Sequence, residues 1–263
     1  MQTSPETQTS NPFDLAGRVV IITGASKGLG KIYALRCAEA GARVVIADID
    51  RAASAATQAE IEAAGGTVLS YVTDVTDSAA TQALAQATLA QFGRIDALIN
   101  NASLMSELPR RNWMEIPIEE WERVMAVNLR GIFLCCRAVY PAMQRRKKGK
   151  IVNISSSRVW EGTPNRLHYT TSKAGVIGFT RALAREVGDD NICVNAITPG
   201  FTLSESQQAT TAAAYASDQD KLRSFKRAQL PGDLVGTVIF LLSDASDFIT
   251  GQTINVDGGK AMH

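Results

Sequence analysis

The sequence has almost no net charge. Its 27 lysine and arginine residues are nearly balanced by 26 aspartate and glutamate residues, which gives a formal charge of +1. Such a chain lacks the positive field that holds nucleic acid or an anionic membrane surface. The one basic run, residues 145–150, follows a predicted helix and is interpreted as a solvated helix end. We therefore expect neither nucleic acid nor a membrane as a partner.

Cysteine is scarce as well. The four cysteines show neither the spacing of metal ligands nor the density of a disulfide scaffold. They are Cys37, Cys135, Cys136 and Cys193. This pattern predicts no metal site and a reduced, cytoplasmic chain.

Long apolar runs are also missing. No uninterrupted run reaches the ~18 residues of a membrane span, and the polar start lacks the apolar core of a signal peptide. We expect residues 1–12 to form a disordered tail. With 263 residues, of which 45% are hydrophobic, the chain is long enough to bury a large core. Residues 13–263 are therefore assigned to a single domain.

The chain does contain a regular alternation of short apolar strands and amphipathic helices. Strands are predicted at 18–23, 43–48, 67–73, 95–99 and 150–155, and helices at 31–40, 51–64, 77–92 and 118–143. Alternation of this kind indicates an α/β fold of the Rossmann type, a doubly wound parallel sheet with helices on both faces. Ligands bind such sheets at the carboxyl ends of the strands.

A glycine-rich turn joins the first strand to the first helix. Its glycines follow the spacing G-x-x-x-G-x-G rather than the usual G-x-G-x-x-G. Strand, turn and helix in this order direct backbone N–H groups at a phosphate, although an ordinary tight turn would use the same glycines. The candidate dinucleotide-binding residues here are Gly24, Ser26, Lys27, Gly28, Leu29 and Gly30.

The second strand ends in Asp48, about twenty residues beyond these glycines. A carboxylate there accepts hydrogen bonds from the adenosine ribose and repels a 2′-phosphate, which favours NAD. Lys27 favours NADP, because a cation near that ribose suits a phosphate. We predict NAD as the preferred cofactor, with NADP as the alternative, and assign Asp48 and Ile49 to its site.

The next two strands end in polar residues. Asp74 and Val75 follow the third strand, and Asn101 and Ala102 follow the fourth. Asp74 either caps the helix that follows or binds the adenine amine, and its position level with Asp48 favours the adenine.

Tyr169 and Lys173 are four residues apart and so lie on one face of a helix. A phenol loses its proton near pH ~10, and a nearby ammonium group favours the phenolate. The pair is therefore a candidate acid–base couple. A solvated lysine beside a packed aromatic ring would give the same spacing. Neighbouring His168 points to another face of the helix.

Two further polar features accompany this couple. Asn128 lies in an otherwise apolar helix, where an amide is either a satisfied core group or part of a polar network. Ser155, Ser156 and Ser157 follow a buried strand, where a hydroxyl faces a ligand or forms a plain turn. Phenol, ammonium, hydroxyl and amide are expected to converge beside the glycine-rich turn.

With these motifs in order, the chain resembles the short-chain dehydrogenase/reductase family from Leu15 to the C-terminus. The resemblance rests on the following elements: the turn at 23–30, Asp74, residues 100–102, Asn128, a serine thirteen residues before Tyr169, Lys173, Asn195, Pro199-Gly200 and Asp257-Gly-Gly. It implies a single domain with a sheet of about seven strands, and its spacing selects Ser156. The family usually has glycine where this chain has Ser103, and threonine where it has Ser204.

The resemblance also implies a role for each site residue. Tyr169 would exchange a proton with the substrate oxygen, and Ser156 would bind that oxygen. Lys173 would bind the nicotinamide ribose and lower the pKa of Tyr169, while Asn128 would hold a water linked to Lys173. Hydride would pass between the nicotinamide and the substrate carbon. Pro199, Gly200 and Thr202 would lie against the nicotinamide.

The substrate is predicted from weaker signals. Residues 201–229 are expected to form a lid, with Tyr215 and Phe225 as its few large side chains. Trp113 and Trp160 are candidate aromatic walls. Stretches at 162–165, 175–184 and 249–263 are similar to bacterial pyridoxal 4-dehydrogenases and 1-phenylethanol dehydrogenases. This similarity implies an NAD(P)-dependent alcohol dehydrogenase or carbonyl reductase for a compact aromatic or cyclic substrate.

Two alternatives stay open. The first is a 3-oxoacyl-carrier-protein reductase that uses NADPH. The second is a non-catalytic NAD-binding sensor, which would not need the proton-handling groups. The resemblance further implies a homotetramer, with the surfaces around Cys135-Cys136 and Val176–Phe179 as candidate interfaces.

Overall fold

The computed structural model describes residues 12–204 and 213–262. The predicted tail lies outside the described residues except for Pro12, whose carbonyl accepts a hydrogen bond from the Ala245 backbone N–H at 3.2 Å. Within residues 201–229, the predicted lid, residues 205–212 also lie outside the described part.

Seven strands form one sheet in the order β3-β2-β1-β4-β5-β6-β7, and every neighbouring pair is parallel. Their bounds are β1 Val19–Thr23, β2 Arg43–Asp48, β3 Thr67–Val72, β4 Ala97–Asn100, β5 Gly149–Ile154, β6 Ile192–Pro199 and β7 Thr253–Val256. The order reverses direction at β1, which is the arrangement of a doubly wound Rossmann-type sheet. The predicted fold class and strand number are confirmed.

Helices cover both faces of this sheet. They are α1 Gly28–Glu39, α2 Arg51–Ala63, α3 Ser78–Phe92, α4 Ile118–Met125, α5 Gly131–Arg146, α6 Arg158–Glu161, α7 Leu167–Glu186, α8 Ala213–Leu222 and α9 Gly232–Leu242. Alternate residues of β1 face opposite layers. Val19 and Ile21 pack with α3, α5 and α7, and Val20 and Ile22 pack with α1, α2 and α9.

The first helix begins earlier than predicted. It starts at Gly28 rather than at residue 31, because the end of the glycine-rich turn itself forms the first helical turn. Lys27 is the N-cap residue, and its backbone is extended, with φ of −153°. The turn therefore leads directly into the helix N-terminus, as the sequence pattern for phosphate binding requires.

The long helix predicted at 118–143 is interrupted by a π-helical turn at Ala126–Arg130. Asn128 lies at its centre. Single π-turns inside a helix often occur at functional sites. The continuous helical segment Ile118–Arg146 is 29 residues long and reaches a mean hydropathy of 1.2, enough by length and composition to cross a membrane. Core helices pass the same test, and Ile132, Cys135 and Val139 of this segment are buried in the cluster on the sheet.

Candidate active site

The predicted site residues converge at one edge of the sheet. Six parallel strands, β1 to β6, end at this edge, and each is followed by one or more of the predicted residues. The turn Gly24–Gly30 follows β1, Asp48 ends β2, Asp74 follows β3, Asn101 follows β4, Ser156 follows β5, and Pro199 ends β6.

The glycine-rich turn requires its glycines. Gly24 and Gly28 have φ of +64° and +60°, a region that favours glycine. A Cβ on Gly30 would lie 2.0 Å from the Gly24 carbonyl oxygen, so this approach excludes any side chain. The Asn101 amide holds the turn in place, because its Nδ2 donates to the carbonyls of Thr23 and Gly24 at 3.0 and 2.9 Å. The Thr23 hydroxyl, which the sequence analysis did not single out, accepts from the backbone N–H groups of Asn101 and Ala102 at 3.0 and 3.1 Å.

Asp48 connects the turn to the end of β2. Its Oδ2 accepts from the Ser26 backbone N–H, and its Oδ1 accepts from that of Asp50, both at 3.0 Å. The carboxylate is only half-buried, so it keeps room for a further donor. Ile49 and Lys27 are exposed beside it.

This corner fits a dinucleotide. The Ser26 hydroxyl is buried and has no hydrogen-bond partner among residues 12–204 and 213–262. Buried polar atoms are normally paired, and a phosphate or ribose oxygen would supply the missing partner. Gly24, Ser26, Lys27, Gly28, Leu29, Gly30, Asp48 and Ile49 are the residues that would hold it.

Asp74 does not cap the next helix. Its Oδ1 accepts from the backbone N–H and the hydroxyl of Thr76, at 2.8 and 2.7 Å. The cap of α3 is Asp77, whose side chain accepts from the Ala79 N–H at 2.8 Å. Asp74 itself is exposed, and its proposed contact with adenine stays a prediction. The Val75 side chain is buried in the core cluster, which leaves its backbone for any contact with a cofactor.

Asn128 belongs to a polar network. It is fully buried, its Oδ1 accepts from the Leu104 N–H at 2.8 Å, and its Nδ2 donates to the Leu104 carbonyl at 3.2 Å and to the Ser172 hydroxyl at 3.1 Å. Ser172 in turn donates to the Tyr169 carbonyl at 2.7 Å. Asn128 therefore joins the loop after β4 to the helix that carries Tyr169. The water that it is predicted to hold stays a prediction.

The three serines after β5 have different partners. Ser155 donates to the Lys173 carbonyl at 2.7 Å, and Ser157 donates to Glu161 Oε1 at 2.8 Å. Ser156 Oγ accepts from the Arg158 N–H at 3.3 Å, which leaves its hydroxyl proton for another acceptor. The predicted binding of a substrate oxygen by Ser156 stays a prediction.

Tyr169 and Lys173 lie together on α7, both buried, at 6% and 2% exposure. The Lys173 ammonium is 5.7 Å from the centroid of the Tyr169 ring and donates to the Ile154 carbonyl at 2.8 Å. Phenol, ammonium and the Ser156 hydroxyl thus meet beyond the end of β5. Asn128, the fourth predicted member, joins them through Ser172.

Burial controls the proton affinity of this pair. Burial raises the pKa of the Tyr169 phenol. The hydrogen bond with the Ser156 hydroxyl and the positive charges of Arg158 and Arg166 oppose this effect and lower the pKa. Burial lowers the pKa of Lys173 to about 7. The predicted lowering of the Tyr169 pKa by Lys173 stays a prediction. Arg158 and Arg166, which no sequence motif marked, are the cations that act on the phenol here.

The segment after β6 packs tightly. A Cβ on Gly200 would lie 2.5 Å from Gln229 Oε1 and 2.8 Å from Asp257 Cβ. Thr202 is buried, and its hydroxyl donates to the Gly200 carbonyl at 3.1 Å. The end of β6 and the residues after it are thus closely packed. The predicted contact of nicotinamide with Pro199, Gly200 and Thr202 stays a prediction.

The described part of the lid is tied to the C-terminal segment. Lys260 Nζ lies 2.6 Å from both Glu161 Oε2 and Gln219 Oε1, so it links the helix after Ser156 to α8. The buried Arg223 donates to the Phe201 carbonyl. Phe225 is exposed, and the Tyr215 side chain lies outside the described residues.

The structure places the two predicted tryptophan walls differently, and it confirms that His168 points away from the site. Trp160 Nε1 donates to the Thr198 hydroxyl at 3.3 Å, beside the site, whereas the Trp113 side chain is 62% exposed. His168 is fully buried and faces away from the site, with Nε2 3.2 Å from Glu120 Oε1.

The chain is similar to known proteins over most of its length. A family model described as enoyl-(acyl carrier protein) reductase matches residues 24–261. The (2S)-[(R)-hydroxy(phenyl)methyl]succinyl-CoA dehydrogenase subunit BbsD of Thauera aromatica is 40% identical over 251 residues, which are 94% of this chain and 98% of that protein. A 3-oxoacyl-[acyl-carrier-protein] reductase of Synechocystis is 37% identical, over 94% of this chain and 98% of that protein.

Among solved structures, a proposed NAD(P)-dependent gluconate 5-dehydrogenase of Beutenbergia cavernae with bound NADP superposes with a TM-score of 0.88. It is 34% identical and covers 95% of this chain and 99% of its own.

Proposed function

Because this chain belongs to the short-chain dehydrogenase/reductase family and is an oxidoreductase that uses NAD(P), we propose that it interconverts an alcohol and its ketone or aldehyde. The observation that carries the proposal is the Ser156 hydroxyl. Ser155 and Ser157 donate to a backbone carbonyl and to a carboxylate, whereas the Ser156 hydroxyl interacts with the buried phenol of Tyr169. A hydroxyl and a phenol that face one oxygen atom are the groups needed to protonate and deprotonate that oxygen.

The residues of the chain perform the proton chemistry. In the oxidation direction Tyr169 accepts the hydroxyl proton of the substrate while Ser156 donates a hydrogen bond to the same oxygen. Lys173 lies behind the phenol and, charged, would favour the phenolate. Asn128 fixes the helix that carries both, through Ser172. When bound, the nicotinamide supplies the acceptor or donor of hydride.

For the cofactor, we propose NAD as the preferred form, supported by the half-buried carboxylate of Asp48 at the end of β2. A 2′-phosphate there would meet this negative charge. The test is kcat/KM with NAD and with NADP for the wild type and for Asp48→Ala. The proposal expects NAD to be favoured at least ~10-fold in the wild type and less in the variant, because an adverse charge contact is worth a few kcal/mol. Equal preference in both proteins would reject it.

For the substrate, we propose a compact aromatic or cyclic alcohol. The proposal is supported by the apolar cluster around Tyr169, formed with Leu108 and Val124 and flanked by Leu104 and Met105. Trp160 adds an aromatic ring nearby. Initial rates of NAD reduction with a panel of alcohols, including 1-phenylethanol, cyclohexanol and ethanol, test it. Faster turnover of ethanol than of the ring compounds would reject it.

A second candidate is a reductase of 3-oxoacyl thioesters on a carrier protein that uses NADPH. The relatives named 3-oxoacyl-[acyl-carrier-protein] reductases, at 36–37% identity, favour it. An acidic carrier protein would bind to basic side chains that are not paired with acidic residues of the chain itself. Three basic residues of the predicted lid are paired with carboxylates, which counts against this candidate, namely Lys221, Arg223 and Arg227. Oxidation of NADPH with acetoacetyl thioesters, faster than any alcohol reaction with NAD, would establish this candidate and reject the first.

The chain is further proposed to be a cytoplasmic homotetramer. The candidate surface needs a correction, because Cys135, Cys136 and Val176 are buried inside the subunit. Phe133 on α5 is instead 48% exposed, and it lines a groove with the half-buried Phe179 of α7, Met125 of α4 and Leu129 of the π-turn; Glu122 and Arg130 also line this groove. We define these four apolar residues as the α5/α7 groove and propose it as a contact between subunits.

A further inference from the structure

Arg158 is close in the chain to Ser156, and its positive charge acts on the Tyr169 phenol. It begins α6, two residues after Ser156, and its backbone N–H donates to Ser156 Oγ at 3.3 Å. Its guanidinium donates to the carbonyls of Thr163 and Pro164, both at 3.0 Å, in the segment that leads to Tyr169. The guanidinium therefore lies between the segment of the catalytic serine and that of the tyrosine. Its charge also lowers the pKa of Tyr169.

This charge has no carboxylate partner within residues 12–204 and 213–262. Glu161, one helical turn on, bonds to Lys260, Ser157 and Thr163 instead. The Nε of Arg158 is buried and has no acceptor among the described residues. Other arginines of the chain pair with carboxylates, namely Arg18, Arg94, Arg111, Arg146, Arg223 and Arg227. A partly buried guanidinium without an anion beside a binding site is typical of anion recognition.

Arg166 is a second positive charge that acts on the phenol. Its guanidinium donates to the Leu108 carbonyl at 2.8 Å and lies 3.0 Å from Met105 Sδ, in the loop that packs against Tyr169. It too lowers the pKa of Tyr169. Two guanidinium groups thus act on the phenol, although the whole chain is nearly neutral.

We propose that the substrate is a compact hydroxy acid or oxo acid, whose carboxylate binds Arg158. Ser156, which is proposed to bind the reacting oxygen, lies two residues before Arg158, and the Arg158 guanidinium bonds to the segment that leads to Tyr169. The inference rests on the proposed alcohol–carbonyl oxidoreductase function and adds to it the charge of the substrate.

Binding of two matched probes tests the inference without turnover. Phenylglyoxylate and acetophenone share the aromatic ring and the ketone and differ in the carboxylate. Calorimetric titration of the full protein, saturated with NAD, should give a dissociation constant at least ~10-fold lower for phenylglyoxylate, the gain of a charge-assisted hydrogen bond. The Arg158→Gln variant should lose this preference. Arg158→Lys should keep part of it, because the charge remains. Arg185→Gln, an exposed arginine on α7, is the matched control and should keep the wild-type preference.

The outcomes separate the inference from the function it rests on. Equal or undetectable binding of the two probes by the wild type overturns the inference, as does an unchanged preference in Arg158→Gln. Both variants could also lose affinity for the two probes by the same factor. Arg158 would then act on the phenol or on folding rather than on the carboxylate, and the inference would be overturned. Turnover of 1-phenylethanol with no binding preference for phenylglyoxylate would leave the proposed function standing while the inference fails.

Discussion

Ser156 is distinguished from its two neighbours by the partners of its oxygen. Ser155 and Ser157 donate to a backbone carbonyl and to a carboxylate, whereas Ser156 accepts from a backbone N–H and interacts with the Tyr169 phenol. At the scale of single residues, the proposed catalysis depends on a hydroxyl donor that is not bonded to a backbone carbonyl or a carboxylate. A strand end with three identical side chains provides such a donor at one position.

We predict that Ser156→Ala lowers kcat about 10²–10³-fold, the usual cost of removing one donor to a developing oxyanion. Ser157→Ala is the matched control, since its hydroxyl bonds to Glu161 rather than facing the site, and should change kcat much less. Steady-state rates with the best alcohol of the panel measure both. Equal losses in the two variants would contradict the assignment of Ser156.

Lys173 makes stability depend on pH. Burial lowers its pKa from 10.5 to about 7 in the folded protein, whereas an unfolded lysine keeps its proton up to about 10.5. Between these two values the unfolded chain binds more protons, so the free energy of unfolding rises with pH across this window. Below pH 7 both the folded and the unfolded chain bind this proton, so the destabilisation by buried Lys173 is at its full size and no longer changes with pH.

We therefore predict that the wild type gains stability relative to Lys173→Met as the pH rises from 6 to 9. Urea denaturation of both proteins at several pH values measures the difference. Lys221→Met, which removes an exposed lysine, should run parallel to the wild type. Parallel curves for Lys173→Met as well would show that Lys173 is not buried as a neutral amine.

At the scale of elements, the lid helix is held by the C-terminal segment. Lys260 bonds to Glu161 on α6 and to Gln219 on α8, and its side chain is only 10% exposed. Burial raises the pKa of Glu161, but the hydrogen bond from Lys260 and other contacts hold it below its ordinary value. One lysine thus connects the lid to the helix that follows Ser156.

We predict that Lys260→Met raises KM several-fold with a smaller change in kcat, because the lid is loosened while Tyr169 and Ser156 are untouched. Hydrogen exchange of α8, Ala213–Leu222, should become faster. Lys221→Met, on the same helix and paired with Asp218, should alter neither quantity. A drop in kcat alone, with unchanged exchange, would refute this role.

The elements themselves were largely predictable from the sequence, and their contacts were not. β-Branched runs gave β1 and β2 within a residue or so, because burial on both faces selects such residues. The π-turn at Asn128 could not be predicted, since no local pattern marks it, and neither could the contact of its amide with the Leu104 backbone in a distant loop. Arg158 was missed for the same reason, because no local pattern shows where a long side chain ends.

At the scale of the whole molecule, the sheet brings the parts of the site together. Six parallel strands end at one edge, so residues from position 24 to position 202 meet there. The resemblance of the motifs to the short-chain dehydrogenase/reductase family, with its single sheet of about seven strands, is confirmed. The roles of the individual site residues stay predictions that the variants above test.

Assembly is also decided at this scale. We predict that Phe133→Glu shifts the proposed tetramer toward smaller species, because Phe133 is 48% exposed in the α5/α7 groove and a charge there opposes apolar contact between subunits. Sedimentation velocity measures the change. Ile118→Glu, at an apolar side chain that is 72% exposed outside the groove, is the control. A wild-type sedimentation profile for Phe133→Glu would exclude this surface.

The most direct test of the account is Tyr169→Phe, which removes one hydroxyl and keeps the buried ring. We predict that kcat falls at least ~10³-fold, because no other group at the site exchanges a proton with the substrate oxygen, while the dissociation constant of NADH, measured by fluorescence titration, changes less than about threefold. A variant that turns over at the wild-type rate would contradict the central claim that this phenol carries the proton.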